Sequence, residues 1–270
     1  ASYTPVGGGG LLVETSEGPA TRASFRALTG SDAEFGHWQR FYGEVATIAD
    51  AVAPTLLEPL PHRADLAAQV DPTIWSDVVE QPLGAAIERR FDHDVVRGVV
   101  ATDALIGTFA SLHDESLVQN RCFLYHLIGN GTGEWRVPVG GMGAVTAELE
   151  RVAREAGAAI HTGRRVTRVE AHDDRVVVEG TRGDAPFSIE TDWVLSGVAP
   201  YALDVLRGRT PSRKPSGSQL KVNLVLSRLP RLRSGIDPRI AFAGTLHLGE
   251  SWTELETAWS QAAGGTLPDH

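Results

Sequence analysis

The sequence contains only one cysteine, Cys122, so no disulfide can form within the chain. Because free cysteines are mostly buried, we expect Cys122 to pack as a small apolar side chain. Long hydrophobic runs are also missing, since no stretch reaches the about 18 apolar residues of a transmembrane helix. The N-terminus lacks a basic segment followed by an apolar core, which argues against a signal peptide and favours a cytoplasmic protein.

Positive charge is scarce, with 25 Lys and Arg against 34 Asp and Glu, for a net charge of -9. A nucleic-acid partner requires a basic face that displaces counterions from phosphates, so no such partner is expected. The same balance argues against simple charge attraction to anionic lipid. A length of 270 residues with 42% hydrophobic residues is sufficient for a sizeable core and typical of a globular protein.

Motifs that carry chemistry by themselves are absent from the sequence. Ser196 and Ser218 lack the G-x-S-x-G frame of a nucleophile elbow. The histidines are scattered, with no His-Glu-x-x-His pattern and no cysteine pair, so no metal site is predicted. No G-x-G-x-x-G turn is present, because Gly129, Gly131 and Gly133 have the wrong spacing and follow no strand. The sequence therefore assigns no catalytic side chain.

Helices are indicated by apolar residues that recur at three- and four-residue steps. Ser31 with Glu34, and Ser251 with Glu254, match the capping box in which the first side chain and the fourth bind each other's backbone N–H groups. Residues 1–30 are instead Gly-rich and predicted to be extended, with a tight turn at Gly7–Gly10. The helices predicted outside the central stretch cover residues 31–53, 78–91, 94–105, 201–206 and 251–262.

The helix predicted over 31–53 carries an aromatic stripe. Its members are Phe35, Trp38, Phe41 or Tyr42, Val45, Ile48 and Val52. A stripe with this spacing either packs into a core or lines an apolar ligand cavity, and the sequence leaves both interpretations open.

The most informative stretch runs from Trp135 to Pro200 and reads as a Gly-rich turn, a helix, a strand, a hairpin and a strand. Gly157 is expected to end the helix, because glycine adopts the left-handed conformation at little cost. The apolar strands flanking the hairpin suit a sheet that is covered on both faces. One helix face carries Met142, Val145, Leu149, Val152 and Ala156. The strands predicted in the whole chain cover residues 11–13, 158–162, 165–171, 176–178, 193–195, 220–226 and 241–248.

Several stretches of the chain occur in a recognisable order and spacing. These are WRVPVGGMGAVTAELERVAREAGA, IHTGRRVTRVE, TDWVLSGVAP, SQLKVNLVLSRLP and SWTELETAWSQAAGGTLPD. Together they resemble the phytoene-desaturase-like family of FAD-dependent oxidoreductases, which act on carotenoids and retinoids. Within it, the chain is most similar to the branch of pyridine nucleotide-disulfide oxidoreductase domain-containing protein 2, and the resemblance covers nearly the whole chain.

The resemblance implies a mixed α/β (α+β) fold of two interleaved domains. These would be the substrate domain of a glutathione-reductase-like flavoprotein and part of its FAD-binding domain. Residues 1–139 and 201–270 would form the two parts of the substrate domain, and residues 140–200 the partial FAD-binding domain.

The resemblance also implies residues that contact FAD. Val166 would lie beside the adenine and read the ring edge with its backbone N–H and C=O groups, and this contact is favoured over the alternative that Val166 is plain sheet core. Ser196, Gly197 and Ala199 would line the adenosine end, because small residues permit close approach of the backbone. No catalytic residue is implied.

The turn Gly140, Gly141 and Met142 would face the substrate, although the start of a helix explains the same glycines. Family members transfer hydride between an apolar, isoprenoid or lipid-like substrate and the flavin, so the cofactor carries the redox step. They begin with a G-x-G-x-x-G turn and end with another Gly-rich flavin-contacting segment, and this sequence has neither. We therefore expect an internal fragment that is inactive alone and binds FAD weakly or not at all.

An alternative is a non-enzymatic module on the same fold that binds an apolar ligand or a protein through the aromatic helix. A G-x-G-x-x-G segment encoded upstream of Ala1 would favour the enzyme. Truncation of a sheet also leaves an open edge, and we expect some self-association of the fragment for that reason.

Overall fold

The computed structural model describes residues 1–129, 136–214 and 217–269. Gly131 and Gly133, whose spacing was compared with that of a G-x-G-x-x-G turn, lie outside the described residues. The same is true of Trp135, the first residue of the WRVPVGGMG stretch. The chain divides into two compact units, the first from residues 1–135 and 217–270 and the second from residues 136–216. The fold is α+β, with small sheets in both units.

The regular elements are mostly short. In chain order they are β1 (Ser2–Val6), β2 (Gly9–Val13), α1 (Pro19–Thr29), α2 (Ala33–Val52), α3 (Arg63–Ala67), α4 (Pro72–Trp75), α5 (Leu83–Arg90), α6 (Asp94–Leu105), α7 (Val118–Ile128), α8 (Met142–Glu155), β3 (Arg164–Ala171), β4 (Val176–Arg182), β5 (Ala185–Thr191), α9 (Pro200–Leu206), α10 (Pro238–Ala241), β6 (Thr245–Leu246) and α11 (Trp252–Ala263).

The first unit begins with a hairpin and a helix. The β1 and β2 strands pair antiparallel, and β6 adds to β1 in parallel. The predicted tight turn is confirmed at Gly7, whose φ is 55°, and at Gly8, whereas Gly9 and Gly10 already belong to β2. The expectation of an extended chain over residues 1–30 is wrong from Pro19 onward, where α1 forms. Pro19 opens this helix and Gly30 closes it with a φ of 82°, and the pair is a recognisable start and stop signal.

The aromatic stripe of α2 belongs to a packed core. Phe41 is fully buried, and its ring contacts those of Phe91 and Phe123 at 5.6 and 5.9 Å between centroids. Phe35 and Trp38 pack on Phe25 of α1. The core interpretation is therefore confirmed. In the described part of the first unit, these side chains do not line an open apolar cavity, because α1, α5, α6 and α7 cover them.

One of the two predicted capping boxes forms. The Ser251 hydroxyl and the Glu254 carboxylate bind each other's backbone N–H groups at 3.2 Å, as predicted for α11. At α2 the capping box is wrong, since Asp32 is the N-cap residue. The Glu34 side chain is directed instead to the segment between α5 and α6, where its Oε1 accepts two backbone hydrogen bonds.

The remaining helices of the first unit confirm part of the prediction. The α6 helix covers the predicted range, whereas the helix expected over 78–91 divides into a π-helical turn, Ser76–Glu80, and α5 after Pro82. The α7 helix was not predicted. The strand expected over 220–226 is wrong, since these residues are exposed and irregular, and the strand expected over 241–248 is reduced to β6.

The second unit is a long helix, an antiparallel sheet and a short helix. The α8 helix ends as predicted, with Gly157 at a φ of 90°. The sheet order is β3-β4-β5, and β3 has a register shift between Val166 and Arg168. The strands predicted over 158–162 and 193–195 are wrong, because these segments are irregular and the third strand is β5, joined to β4 by a turn at Gly183.

The described residues do not cover the second unit's sheet on both faces, so the buried-sheet prediction is wrong for this part of the chain. The apolar face of α8 is exposed as well, although its polar face forms ion pairs, such as Arg151 with Glu148 and Glu155. Among all the described helices, none combines the length and apolar character that a bilayer span requires.

Candidate functional site

Val166 lies on the edge strand of the second unit's sheet. It pairs with Gly180 of β4, and the register shift immediately after it leaves Thr167 without a paired residue opposite. The Val166 side chain is 37% exposed, so it is not enclosed in a sheet core formed by the described residues. The other side of β3 has no strand neighbour within the described sheet. Backbone groups of an edge strand can bind a planar ligand or another strand.

Ser196, Gly197 and Ala199 belong to an irregular, exposed segment that follows β5. A Cβ atom built on Gly197 meets no atom within 4 Å, so open space surrounds this backbone. Ala199 is the N-cap residue of α9, and α9 contacts β3. The fold therefore brings the end of the small-residue segment to the strand that carries Val166.

The turn at Gly140 and Gly141 requires glycine for conformational reasons. Their φ angles are 85° and 73°, in the region that L side chains rarely adopt. The Gly141 N–H donates to the Pro138 carbonyl at 2.8 Å, and Met142 then begins α8 with its side chain exposed. The start of a helix accounts for this turn, and contact with a substrate stays a prediction.

A group of titratable residues in the first unit was missed by sequence reasoning. It surrounds Asp103 near the end of α6, where the His126 Nδ1 lies 2.9 Å from the Asp103 carbonyl oxygen. Next to Asp103, the Thr102 hydroxyl donates to Glu250 at 2.6 Å. The group includes Tyr42 of α2 and so spans more than 200 positions, from 42 to 250. No local pattern in the sequence could have indicated it.

Burial is the largest cause of the pKa shifts of the residues in this group. It raises the pKa of the Asp103 carboxyl, with Glu250 adding to the shift and His126 and His247 opposing it. Burial also raises the pKa of Tyr42 well above its usual value, and Asp103 contributes to that shift. The pKa of Cys122 is raised by burial too, so its half-buried thiol stays protonated and unreactive.

The comparisons with known proteins define the class of protein. The family model of flavin containing amine oxidoreductase matches residues 36–260, which is most of the chain. The chain therefore belongs to the flavin containing amine oxidoreductase family. Membership supports a flavin-dependent oxidoreductase and implies a flavin as cofactor.

Relatives among curated proteins agree with this assignment. An uncharacterized protein of Mycobacterium tuberculosis (strain ATCC 25618 / H37Rv) is 42% identical over 282 residues, which cover 100% of this chain and 52% of the relative. Pyridine nucleotide-disulfide oxidoreductase domain-containing protein 2 of Mus musculus is 28% identical over 213 residues, covering 71% of this chain and 36% of the relative. The chain thus spans about half the length of the mycobacterial relative. No solved structure matches the chain significantly.

Two features of the second unit lie at the residues predicted to contact the cofactor. The free side of β3 offers main-chain donors and acceptors, and the open space at Gly197 admits a group close to the backbone. Ser196, Gly197 and Ala199 are the small residues of the segment before α9. The phytoene-desaturase-like subtype and the glutathione-reductase-like domain assignment stay predictions.

Proposed function

We propose that the chain forms part of an FAD-dependent oxidoreductase that transfers hydride between an apolar substrate and the flavin. The observation that carries the proposal is the family match over residues 36–260, which includes every residue predicted to contact cofactor or substrate. When bound, the flavin supplies the redox step. The residues of this chain bind the cofactor and orient it relative to the substrate.

The adenosine part of FAD is proposed to lie along β3 at Val166, with the segment Ser196, Gly197 and Ala199 beside it. Three features support this placement: the edge position of β3, the open space at Gly197 and the contact between α9 and β3. A flat ring can approach the backbone at Gly197 closely because glycine has no side chain and open space surrounds it.

The substrate is proposed to be isoprenoid or lipid-like. Val137 and Val139 expose their side chains almost completely, and the side chain of Met142 is mostly exposed on the other side of Gly140 and Gly141. This short run of exposed apolar groups is the kind of surface that an apolar ligand covers. The alternative of a binding module lined by α2 has no support, because the aromatic side chains of α2 are packed against their own core.

The sharpest test uses the longest natural reading frame that contains this chain. We expect its purified product to show the visible absorption of oxidised flavin, and a G-x-G-x-x-G turn in the added residues. A product that contains the whole frame, folds and carries no flavin would make the proposal wrong.

The placement of the adenosine is tested in that product with two matched variants. Ala199→Trp puts a bulky ring into the space proposed for the adenosine and should weaken FAD binding at least tenfold. Ala185→Trp puts the same ring at an exposed position on β5, the far edge of the sheet, and should leave FAD binding unchanged. Equal effects of the two variants would contradict the placement.

The chain by itself is proposed to be inactive and to bind FAD weakly or not at all. Its sequence lacks the Gly-rich turn whose backbone N–H groups hold a pyrophosphate at a helix start. Calorimetric titration of the purified chain with FAD measures this directly. Tight binding with one FAD per chain would contradict it.

A further inference from the structure

Three side chains of the first unit bring donor atoms together at the start of α2. Glu34 and His37 are three residues apart in the helix and therefore lie on the same face. Asp92 approaches from the segment between α5 and α6. One donor atom from each of the three lies within 4.8 Å of the other two.

Glu34 and His37 each have a buried side-chain atom that lacks a hydrogen-bond partner within the described residues. Glu34 is only 5% exposed, and its Oε1 accepts hydrogen bonds from the N–H groups of Asp92 and His93 at 2.7 and 3.1 Å. Its Oε2 is buried and has no hydrogen-bond partner among the described residues, and the same is true of the His37 Nδ1. Leaving such a buried polar atom unpaired is unfavourable, because the hydrogen bonds it loses to water are not replaced.

The local charge adds to this cost. Within the described structure, neither Glu34 nor Asp92 forms an ion pair with an arginine or lysine side chain. A carboxylate as buried as Glu34 is unfavourable unless it is paired or coordinates a cation. A cation held by these three side chains would balance the carboxylates, and ligation through Glu34 Oε2 and His37 Nδ1 would give both unpaired atoms a partner.

We propose that Glu34, His37 and Asp92 bind a divalent transition-metal ion of the Zn²⁺ type. One imidazole nitrogen with two carboxylate oxygens is a donor set that Zn²⁺, Co²⁺ and Ni²⁺ accept, whereas Ca²⁺ and Mg²⁺ prefer oxygen alone. Metal–donor bonds of about 2.0–2.2 Å place tetrahedral donors about 3.3–3.6 Å apart. Side-chain adjustments of about an ångström therefore complete the site.

The surroundings determine how the ion would enter and what it would do. Glu34 forms the buried wall of the site and Asp92 the exposed one, so the ion enters from the Asp92 side and keeps water there. The bound ion joins α2 to the segment before α6, the same two parts that Glu34 Oε1 already connects. Its role is to stabilise the core of the first unit, and it does not depend on the flavin.

The test compares the metal-free chain with three variants. Metal is removed with a chelator, and Co²⁺ and Zn²⁺ are titrated separately, with visible absorption for Co²⁺ and calorimetry for Zn²⁺. We expect one ion per chain and an increase in the melting temperature with Zn²⁺. His37→Gln and Asp92→Asn should each weaken binding at least tenfold and abolish the Zn²⁺-dependent stabilisation.

His62→Gln is the matched control, because His62 is an exposed histidine outside the cluster. It should bind metal as the unchanged chain does. Asp92→Asn keeps the backbone N–H that Glu34 accepts, so it separates loss of a metal ligand from loss of the existing backbone contact. Circular dichroism without metal verifies that each variant folds.

Two results would overturn the proposal. One is that the unchanged chain binds Zn²⁺ only weakly and without a fixed ratio of one ion per chain. The other is binding that persists in either folded variant of the cluster or is lost in the His62 control. In both cases Glu34 would serve only as the acceptor for the two N–H groups.

Discussion

Asn120 of α7 accepts a hydrogen bond from the Leu83 N–H at 3.0 Å, 37 positions earlier in the chain, at the first residue of α5. The same carboxamide donates to the carbonyl oxygens of Val78 and Gln81 at 3.0 and 2.7 Å. Asn120 is almost completely buried. One side chain therefore binds three backbone groups that are left free where the π-helical turn ends and Pro82 separates it from α5.

Removal of this carboxamide should destabilise the protein strongly. Asn120→Ala leaves three backbone groups without a partner in a buried environment, at about 1–3 kcal/mol each when no water replaces it. We expect the free energy of unfolding in urea to fall by about 3 kcal/mol. Asn223→Ala, at an exposed position, should change it by less than about 0.5 kcal/mol. A loss below about 1 kcal/mol in Asn120→Ala would contradict this account.

Two helical glycines should respond to the same substitution in opposite directions. A Cβ atom at Gly98 of α6 would lie 1.8 Å from the Glu250 carbonyl oxygen, just before α11, so Gly98→Ala forces the helices apart. We expect a loss of at least about 2 kcal/mol in stability. Gly43 of α2 has no atom within 4 Å of that position, and Gly43→Ala should stabilise by about 0.5–1 kcal/mol. Thermal unfolding of the two variants measures both effects. Equal shifts in the melting temperature would contradict the close contact between Gly98 and the Glu250 carbonyl.

The partly buried Asp103 should make stability depend on pH in a defined direction. Because burial raises its pKa in the folded protein, the folded state binds this proton more tightly than the unfolded state. Its contribution to stability is therefore complete at acid pH, below about 3.9, and is lost as the pH rises through the folded pKa. Asp103→Asn should match the unchanged protein at acid pH and gain relative stability as the pH rises.

Asp114 provides a control of opposite sign for that experiment. Hydrogen bonds from Ser116, including its N–H at 2.8 Å, lower the pKa of Asp114. Its contribution is present above the unfolded pKa and is lost as the pH falls through the folded pKa. Asp114→Asn should therefore lose relative stability as the pH rises. Urea unfolding at several pH values compares the two variants, and parallel curves would show that neither carboxyl is perturbed as described.

The exposed apolar groups of the second unit should cause self-association. Trp193 is 85% and Leu195 is 99% exposed, in a unit whose α8 also leaves its apolar face uncovered. Trp193→Ser together with Leu195→Ser should shift the purified chain toward monomer in analytical ultracentrifugation. Leu57→Ser with Leu60→Ser removes two equally exposed side chains from the first unit and serves as the control. A chain that is already an ideal monomer at high concentration would contradict the expectation.

Sequence reasoning succeeded where the determinants are local. The range of α6 follows from apolar periodicity within twelve residues, and the Ser251 box requires only four consecutive positions. The resemblance to a flavoprotein family also came from contiguous stretches, and the family match supports it. The assignment of Val166 to an adenine contact stays a prediction.

The prediction failed where a residue serves a distant part of the chain. Glu34 has the sequence signature of a helix cap, yet its carboxylate reaches Asp92 and His93, 58 and 59 positions away. The group around Asp103 and the cluster of Glu34, His37 and Asp92 were not predicted for the same reason, because each includes residues that are far apart in the sequence. The continuous apolar run at Trp193 indicated a strand, but this segment is irregular. The third strand of the sheet is β5, which follows β4 through a turn at Gly183.

The sequence by itself determined the range of α6, the start of α11, the turn at Gly7, the end of α8 before Gly157 and the class of protein. These depend on backbone sterics, on periodicity and on residues that are near one another along the chain. Only the tertiary structure decided which buried polar atoms find partners and which apolar faces are covered. Both depend on contacts between segments far apart in sequence, because a carboxylate or an apolar helix face gains its stability from whatever the fold places against it.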